Sequence, residues 1–145
     1  MQMIIKHKGA FTDPLRTADG QMRASVTPRE LHTVWLNTGT LCNLTCENCY
    51  IESSPKNDRL VYLDRDDVRV YLDEIEAQAL PVREIGITGG EPFMNPDILN
   101  ILEDCLGAGY RVLVLTNAMR PMMKVSTGLA ALNERLGARL TVRVS

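Results

Sequence analysis

Arg111-Val112-Leu113-Val114-Leu115-Thr116 is an apolar run too short for a helix, and it lacks the alternation of a strand with one wet face. Such runs belong to parallel strands buried on both sides. Working outward, Val34 to Thr38, Glu84 to Thr88 and Arg139 to Ser145 also read as strands. Between them lie segments of helical period. Asp64 to Ala79 places Val68, Tyr71, Leu72, Ile75 and Ala79 on one face, with Asp64 as N-cap and Leu63 with Val68 as a hydrophobic staple. Asn95-Pro96 reads as the opening of a second helix, with Ile98, Ile101, Leu102 and Cys105 inward and Gly107 or Gly109 at its end. Met123 to Leu136 reads as a third, carried by Val125, Leu129, Leu132 and Leu136. The order β-α-β-α-β-α-β predicts an α/β fold with a parallel sheet in the order 1-2-3-4 and three helices on one face. Residues 1–32 are mixed and polar and read as an N-terminal extension, with a short strand near residues 3–6. Residues 33–145 read as the main domain.

In parallel α/β folds, chemistry gathers at the carboxyl ends of the strands. Three features fall there. The first is Cys42-Asn-Leu-Thr-Cys46-Glu-Asn-Cys49, in a loop from Gly39 to Leu63 that is long for a strand-to-helix connection. The second is Gly89-Gly90-Glu91-Pro92, directly after Ile85-Gly86-Ile87-Thr88. The third is Thr116-Asn117. Three thiols on one loop suit a metal centre with a free coordination position. Structural zinc wants four closed ligands. Cys105 sits on the apolar face of a helix and reads as a buried small hydrophobe. A redox pair, Cys46 with Cys49, would leave the third thiol without a role. His7 and His32 are isolated. Met119, Met122 and Met123 flank Pro121 and read as packing for the start of the third helix.

The formal net charge of −2 and the pI near 5.7 give no basic stripe for nucleic acid. Hydrophobic residues make up 45% of 145 residues, enough for one domain's core. No apolar stretch approaches the ~18 residues of a membrane span. The N-terminus has no signal-peptide layout. A cytoplasmic location is expected, where clustered thiols favour metal or redox chemistry over disulfides.

The C-x3-C-x2-C run followed by Gly-Gly-Glu-Pro resembles the radical S-adenosylmethionine (radical SAM) superfamily. The resemblance implies a partial, TIM-barrel-like (β/α) barrel and a 4Fe–4S cluster on Cys42, Cys46 and Cys49. The fourth iron would be chelated by the amino and carboxylate groups of S-adenosylmethionine (SAM). One electron passed into the sulfonium would then give methionine and a 5′-deoxyadenosyl radical that takes hydrogen from a substrate. By the same resemblance, Gly89, Gly90, Glu91 and Pro92 receive the SAM amino group. Thr116, Asn117 and Ser145 are rim contacts, and Tyr50 stands beside the adenine. Tyr50 follows the third cysteine, where Asn48 occupies the position often held by an aromatic residue, and Ala118 replaces the glycine of a Thr-Asn-Gly run. Arg143 matches a SAM-contacting position loosely. No residue is assigned a direct catalytic role. The implied partners are a substrate of unknown identity and a reductant such as flavodoxin or ferredoxin, with neither nucleic acid nor membrane. The alternative is a non-catalytic iron–sulfur or zinc-binding module. The family core has six β/α units, around 200 residues, so the four strands here read as its N-terminal half, and an isolated half is expected to cleave SAM poorly.

Overall fold

The computed structural model describes residues 13–26 and 30–145. The strand expected near residues 3–6 lies outside them. Four strands, β1 (Thr33–Asn37), β2 (Glu84–Thr88), β3 (Arg111–Thr116) and β4 (Leu140–Val144), form one parallel sheet in the order β1-β2-β3-β4. The register aligns Leu36 with Ile87, Ile87 with Val114 and Val114 with Val142. One face is therefore an aliphatic row, and Ile85, Ile87, Val112 and Val114 are sealed from water. The other row aligns Trp35 with Gly86 and Gly86 with Leu113. A methyl on Gly86 would stand 2.3 Å from Trp35 Cε3, so the indole lies flat on the glycine. Trp35 nevertheless stays 48% exposed.

The helices are α1 (Arg65–Ala77), α2 (Ile98–Gly107), α3 (Arg120–Lys124) and α4 (Ser126–Leu136), with a 3-10 turn at Pro92–Met94. Helix α1 starts as expected. The Asp67 N–H donates to Asp64 Oδ1 at 2.8 Å, and the Asp64 N–H donates to Asp67 Oδ2 at 3.3 Å, a reciprocal cap. Val68, Leu72 and Ile75 are buried, while Tyr71 stays half-exposed. Ala79 falls beyond the helix end with φ +49°, so it is a turn residue and not part of the helical face. The apolar face of α2 is as expected: Ile98, Ile101, Leu102 and Cys105 are all buried. Helix α2 packs on β3 and touches both α1 and α4.

Two helix expectations need correction. Asn95 does not cap α2, which begins three residues later behind Asp97. Asn95 is pulled into tertiary contacts instead. Its Nδ2 donates to Leu63 O at 2.7 Å and to Thr38 O at 3.4 Å, and its Oδ1 accepts from the Asp97 N–H at 2.8 Å. The third helix is two helices. The Val125 N–H turns back to Met122 O and closes α3, and α4 restarts at Ser126. Of the three methionines around Pro121, only Met122 packs on the core, and Met119 and Met123 are exposed.

Candidate metal and cofactor site

The site begins where β1 and β2 leave the sheet side by side. The Thr38 N–H donates to Thr88 O at 2.9 Å, the Gly90 N–H to Gly39 O at 2.8 Å and the Glu91 N–H to Leu41 O at 3.0 Å. Strand pairing thus runs on into both loops and delivers Cys42 next to Gly90. The approach is close: a methyl on Gly90 would stand 2.1 Å from the Leu41 carbonyl oxygen. Only glycine permits it.

The cysteine loop then folds on itself. The Cys42 N–H donates to Ser54 O at 3.1 Å, and the Cys49 N–H donates to Cys46 O at 3.2 Å, closing a turn between the second and third cysteines. Cys42 is buried, Cys49 half-buried and Cys46 exposed, and all three thiols are free. Backbone amides point at two sulfurs: Leu44 N–H at Cys42 Sγ, 3.4 Å, and Ser53 N–H at Cys49 Sγ, 3.3 Å. Their electrostatics differ. Burial pushes the Cys42 thiol above its ordinary value, and Glu91, Cys46 and Cys49 nearby add to the rise against the Leu44 amide. Burial also acts upward on Cys49, but the amides of Ser53 and Ile51 outweigh it, and that thiol ends below its ordinary value. Cys105, by contrast, is pushed up to about 12 by burial in the helical layer.

A cavity of about 440 Å³ opens between this loop and the strand ends, within the size range of small-molecule sites. It brings together Cys42, Cys46, Cys49 and Tyr50 with Gly89, Gly90, Thr116, Asn117 and Ser145. Tyr50 stands at its edge, 78% exposed. Arg143 is exposed on β4 and does not line the cavity. Glu91 and Pro92 do not line it either. The Glu91 carboxylate is 1% exposed and accepts from Thr116 Oγ1 at 2.7 Å, Asn117 N–H at 2.9 Å and Phe93 N–H at 3.1 Å. It ties the end of β2 to the end of β3. Asn117 carries the tie onward: its Nδ2 donates to Asn43 Oδ1 at 3.0 Å and to Cys42 Sγ at 3.8 Å. Asn43, Leu44 and Ser53 are the residues the sequence did not single out. They stand inside the cysteine loop as ordinary loop residues, and no motif marks them.

The donor set discriminates between metal centres. Among the described residues no three His, Cys, Asp or Glu side chains are gathered closely enough to hold a single ion. One zinc ion at about 2.3 Å from each sulfur would need sulfurs within roughly 4 Å of one another. Three thiols spread around a cavity, with amides aimed at two of them, fit a larger inorganic group. A larger cavity, about 960 Å³, runs over α1 and α2, but its Arg65, Arg69 and Asp104 are paired with one another and it shares no residue with the strand-end site.

Comparison with known proteins agrees with this geometry. Over 79 residues, 52% of this chain and 21% of the relative, the sequence is 32% identical to the AdoMet-dependent heme synthase of Methanosarcina barkeri. Over 87 residues, 59% of this chain and 36% of the relative, it is 30% identical to the 7-carboxy-7-deazaguanine synthase of Koribacter versatilis. The chain therefore spans a fifth to about a third of the length of these relatives. The fold is similar to that of Streptococcus suis SuiB bound to S-adenosylmethionine, with TM-score 0.60 and 23% identity over 79% of this chain and 24% of that one. SuiB bound to its precursor peptide SuiA gives TM-score 0.61 at the same identity and the same shares of the two chains. The family model of the radical SAM superfamily matches residues 36–143, from the end of β1 to β4, and the chain belongs to that superfamily.

Proposed function

We propose that this chain is the cluster- and SAM-binding part of a radical SAM enzyme, and that Cys42, Cys46 and Cys49 ligate three irons of a 4Fe–4S cluster. When bound, the cluster and SAM supply reductive cleavage of the sulfonium and a 5′-deoxyadenosyl radical that takes hydrogen from a substrate. The chain's own residues bind and orient. The rim at Gly89 and Gly90 offers backbone oxygens to the SAM amino group, an ammonium that wants acceptors. Thr116, Asn117 and Ser145 stand across the cavity to meet the ribose or carboxylate, and Tyr50 stands at the adenine end. Glu91 is a positioning residue in this reading, because its carboxylate is used up by three donors and holds both rim loops in place. Pro92 sets the exit of that loop into the 3-10 turn. Amides aimed at sulfur raise a cluster's potential.

The observation that carries the reading is the convergence of all three cysteines with Gly89, Gly90 and Asn117 on one cavity. Residues 33–145 act as the core unit, with residues 1–32 as an extension. A reductant such as flavodoxin or ferredoxin supplies the electron, and the setting is cytoplasmic. Among the described residues no helix is long and apolar enough to cross a membrane. The relatives' names, heme synthase and 7-carboxy-7-deazaguanine synthase, denote different products. The test is to incubate the anaerobically reconstituted protein with SAM and dithionite and to quantify 5′-deoxyadenosine by chromatography. SAM binding and a low yield of 5′-deoxyadenosine, both lost in Cys46→Ala, support the reading. A reconstituted protein that holds iron but neither binds nor cleaves SAM would leave an electron-carrier module in its place.

A further inference from the structure

Behind the cysteine loop lies a second cavity of about 730 Å³. Leu44, Phe93, Met119, Pro121 and Val125 give it apolar walls, and Arg120 and Lys124 lie along it. Leu44 lines both cavities, so the groove and the cysteine site adjoin at this residue. Asn43 strengthens the link: its Nδ2 donates to Met119 Sδ at 3.8 Å on the groove side, and its Oδ1 accepts from Asn117 on the cysteine side.

The charge pattern is specific. Arg120 and Lys124 are four residues apart on α3 and share a face. Both are exposed, and among the described residues neither has an ion pair or side-chain hydrogen bond. The other helix arginines Arg65, Arg69 and Arg135 are each paired with Asp104 or Glu103. Among the described residues no acidic side chain lines the groove, although the chain as a whole carries a net −2. It is a local positive patch beside a largely apolar floor on a mildly acidic molecule.

We propose that this groove is the docking surface for an acidic one-electron carrier protein that feeds the cluster held by Cys42, Cys46 and Cys49. The inference rests on the cluster reading above. SAM and substrate approach from the strand-end cavity, so an electron donor needs a different wall, and Leu44 is where this groove adjoins the cysteine site. Two unpaired cations steer an acidic surface into contact, and the apolar floor excludes water once it arrives. In the transfer, the carrier's redox group loses one electron and the cluster gains one; no covalent bond forms or breaks. A nucleic acid would want a longer basic stripe than two residues.

The test compares the reconstituted protein with its Arg120→Glu/Lys124→Glu and Arg120→Gln/Lys124→Gln variants. Anaerobic stopped-flow follows bleaching of the cluster by reduced flavodoxin at low and high salt. Dithionite, which needs no docking surface, serves as the reference. The expected result is reduction by flavodoxin slowed about tenfold or more in the charge-reversed variant at low salt, and by less in the neutral one. Salt should slow the unaltered protein towards the variants, and dithionite should bleach all three equally. Equal flavodoxin rates in all three, with normal dithionite bleaching, overturn the docking surface and leave the cluster reading intact. A salt dependence undiminished in the charge-reversed variant overturns it too, because the steering charge would lie elsewhere. Absence of any dithionite-bleachable centre overturns both.

Discussion

The helix-covered face of the sheet and the rim at its carboxyl end are built on the same four strands by different chemistry. On the covered face Ile85, Ile87, Val112 and Val114 meet Ile98, Ile101, Leu102 and Leu106 in a layer held by apolar burial. At the rim, backbone meets backbone: Gly90 on Leu41, Cys42 on Ser54, with Glu91 and Asn117 bracing the loops. Burial is forgiving of side-chain identity but sensitive to volume. Backbone contact is forgiving of neither an added atom nor a lost donor. Stability and chemistry should therefore separate by mutation.

Ile101→Ala is the strongest strike on the covered face. Ile101 is fully buried, and its truncation is expected to cost about 4 kcal/mol in denaturant unfolding. Below its lowered melting point the variant should still take up iron and sulfide. Failure to do so while folded would show that core and rim are one cooperative unit.

Gly90→Ala strikes the rim. Its methyl would meet backbone atoms of both Leu41 and Thr40, so the cysteine loop must move. An overpacking cost of about 3 kcal/mol is expected, together with loss of cluster uptake measured as iron per chain. Normal uptake would mean that the loop is placed by something other than this contact.

A smaller effect tests the helical layer by pH. Asp104 accepts from Arg65 Nε and Nη2, both at 2.7 Å, and from Arg69 Nε at 3.0 Å. The hydrogen bonds from Arg65, with the one from Arg69, hold its carboxyl below the usual range against the opposing effect of burial. A carboxyl lowered by folding stabilises the protein fully above its unfolded value of about 3.9, and the contribution is lost as pH falls through the lower folded value. Both guanidiniums remain partly in water, so the effect is modest. Asp104→Asn should lower the melting temperature by about 3 °C at neutral pH, and the gap to the unaltered protein should close in acid. A gap that persists unchanged at the acid end would assign the loss to packing.

The smallest effect sits at Ala118, where φ is +53°. A left-handed alanine is strained, and glycine is not. Ala118→Gly should stabilise the chain by about 0.5 kcal/mol in denaturant unfolding and leave cluster uptake unchanged.

Much of this contrast was legible in the residues. The run from Arg111 to Thr116 signalled a doubly buried strand because its apolar residues do not alternate, and the strand order followed from short right-handed crossovers. Cys105 read correctly as core, since it shares a helical face with Ile98, Ile101 and Leu102. What local pattern missed was decided by distant partners. Asn95 has the look of an N-cap, yet Leu63 O and Thr38 O claim its amide. The helix read from Met123 to Leu136 runs across the break between α3 and α4, because the turned-back amide at Val125 leaves no mark in the side-chain spacing. The inward carboxylate of Glu91 depends on Thr116 and Asn117, 25 and 26 residues away, and nothing near Glu91 in the sequence announces them. The gathering of the cysteines with Gly89, Gly90 and Asn117 was readable from a shared strand end. The groove behind Leu44 was not, because its walls come from three separate loops and helices.

The most direct measurement is electron paramagnetic resonance of the reduced, anaerobically reconstituted protein with and without SAM, alongside iron and zinc analysis. The expected result is about four irons per chain and a reduced-cluster signal that changes shape when SAM is added. Both should be lost in Cys42→Ala, Cys46→Ala and Cys49→Ala and retained in Cys105→Ala. Bound zinc in place of iron, a signal indifferent to SAM, or a cluster that depends on Cys105 as fully as on the other three would contradict a three-thiolate centre with one open iron.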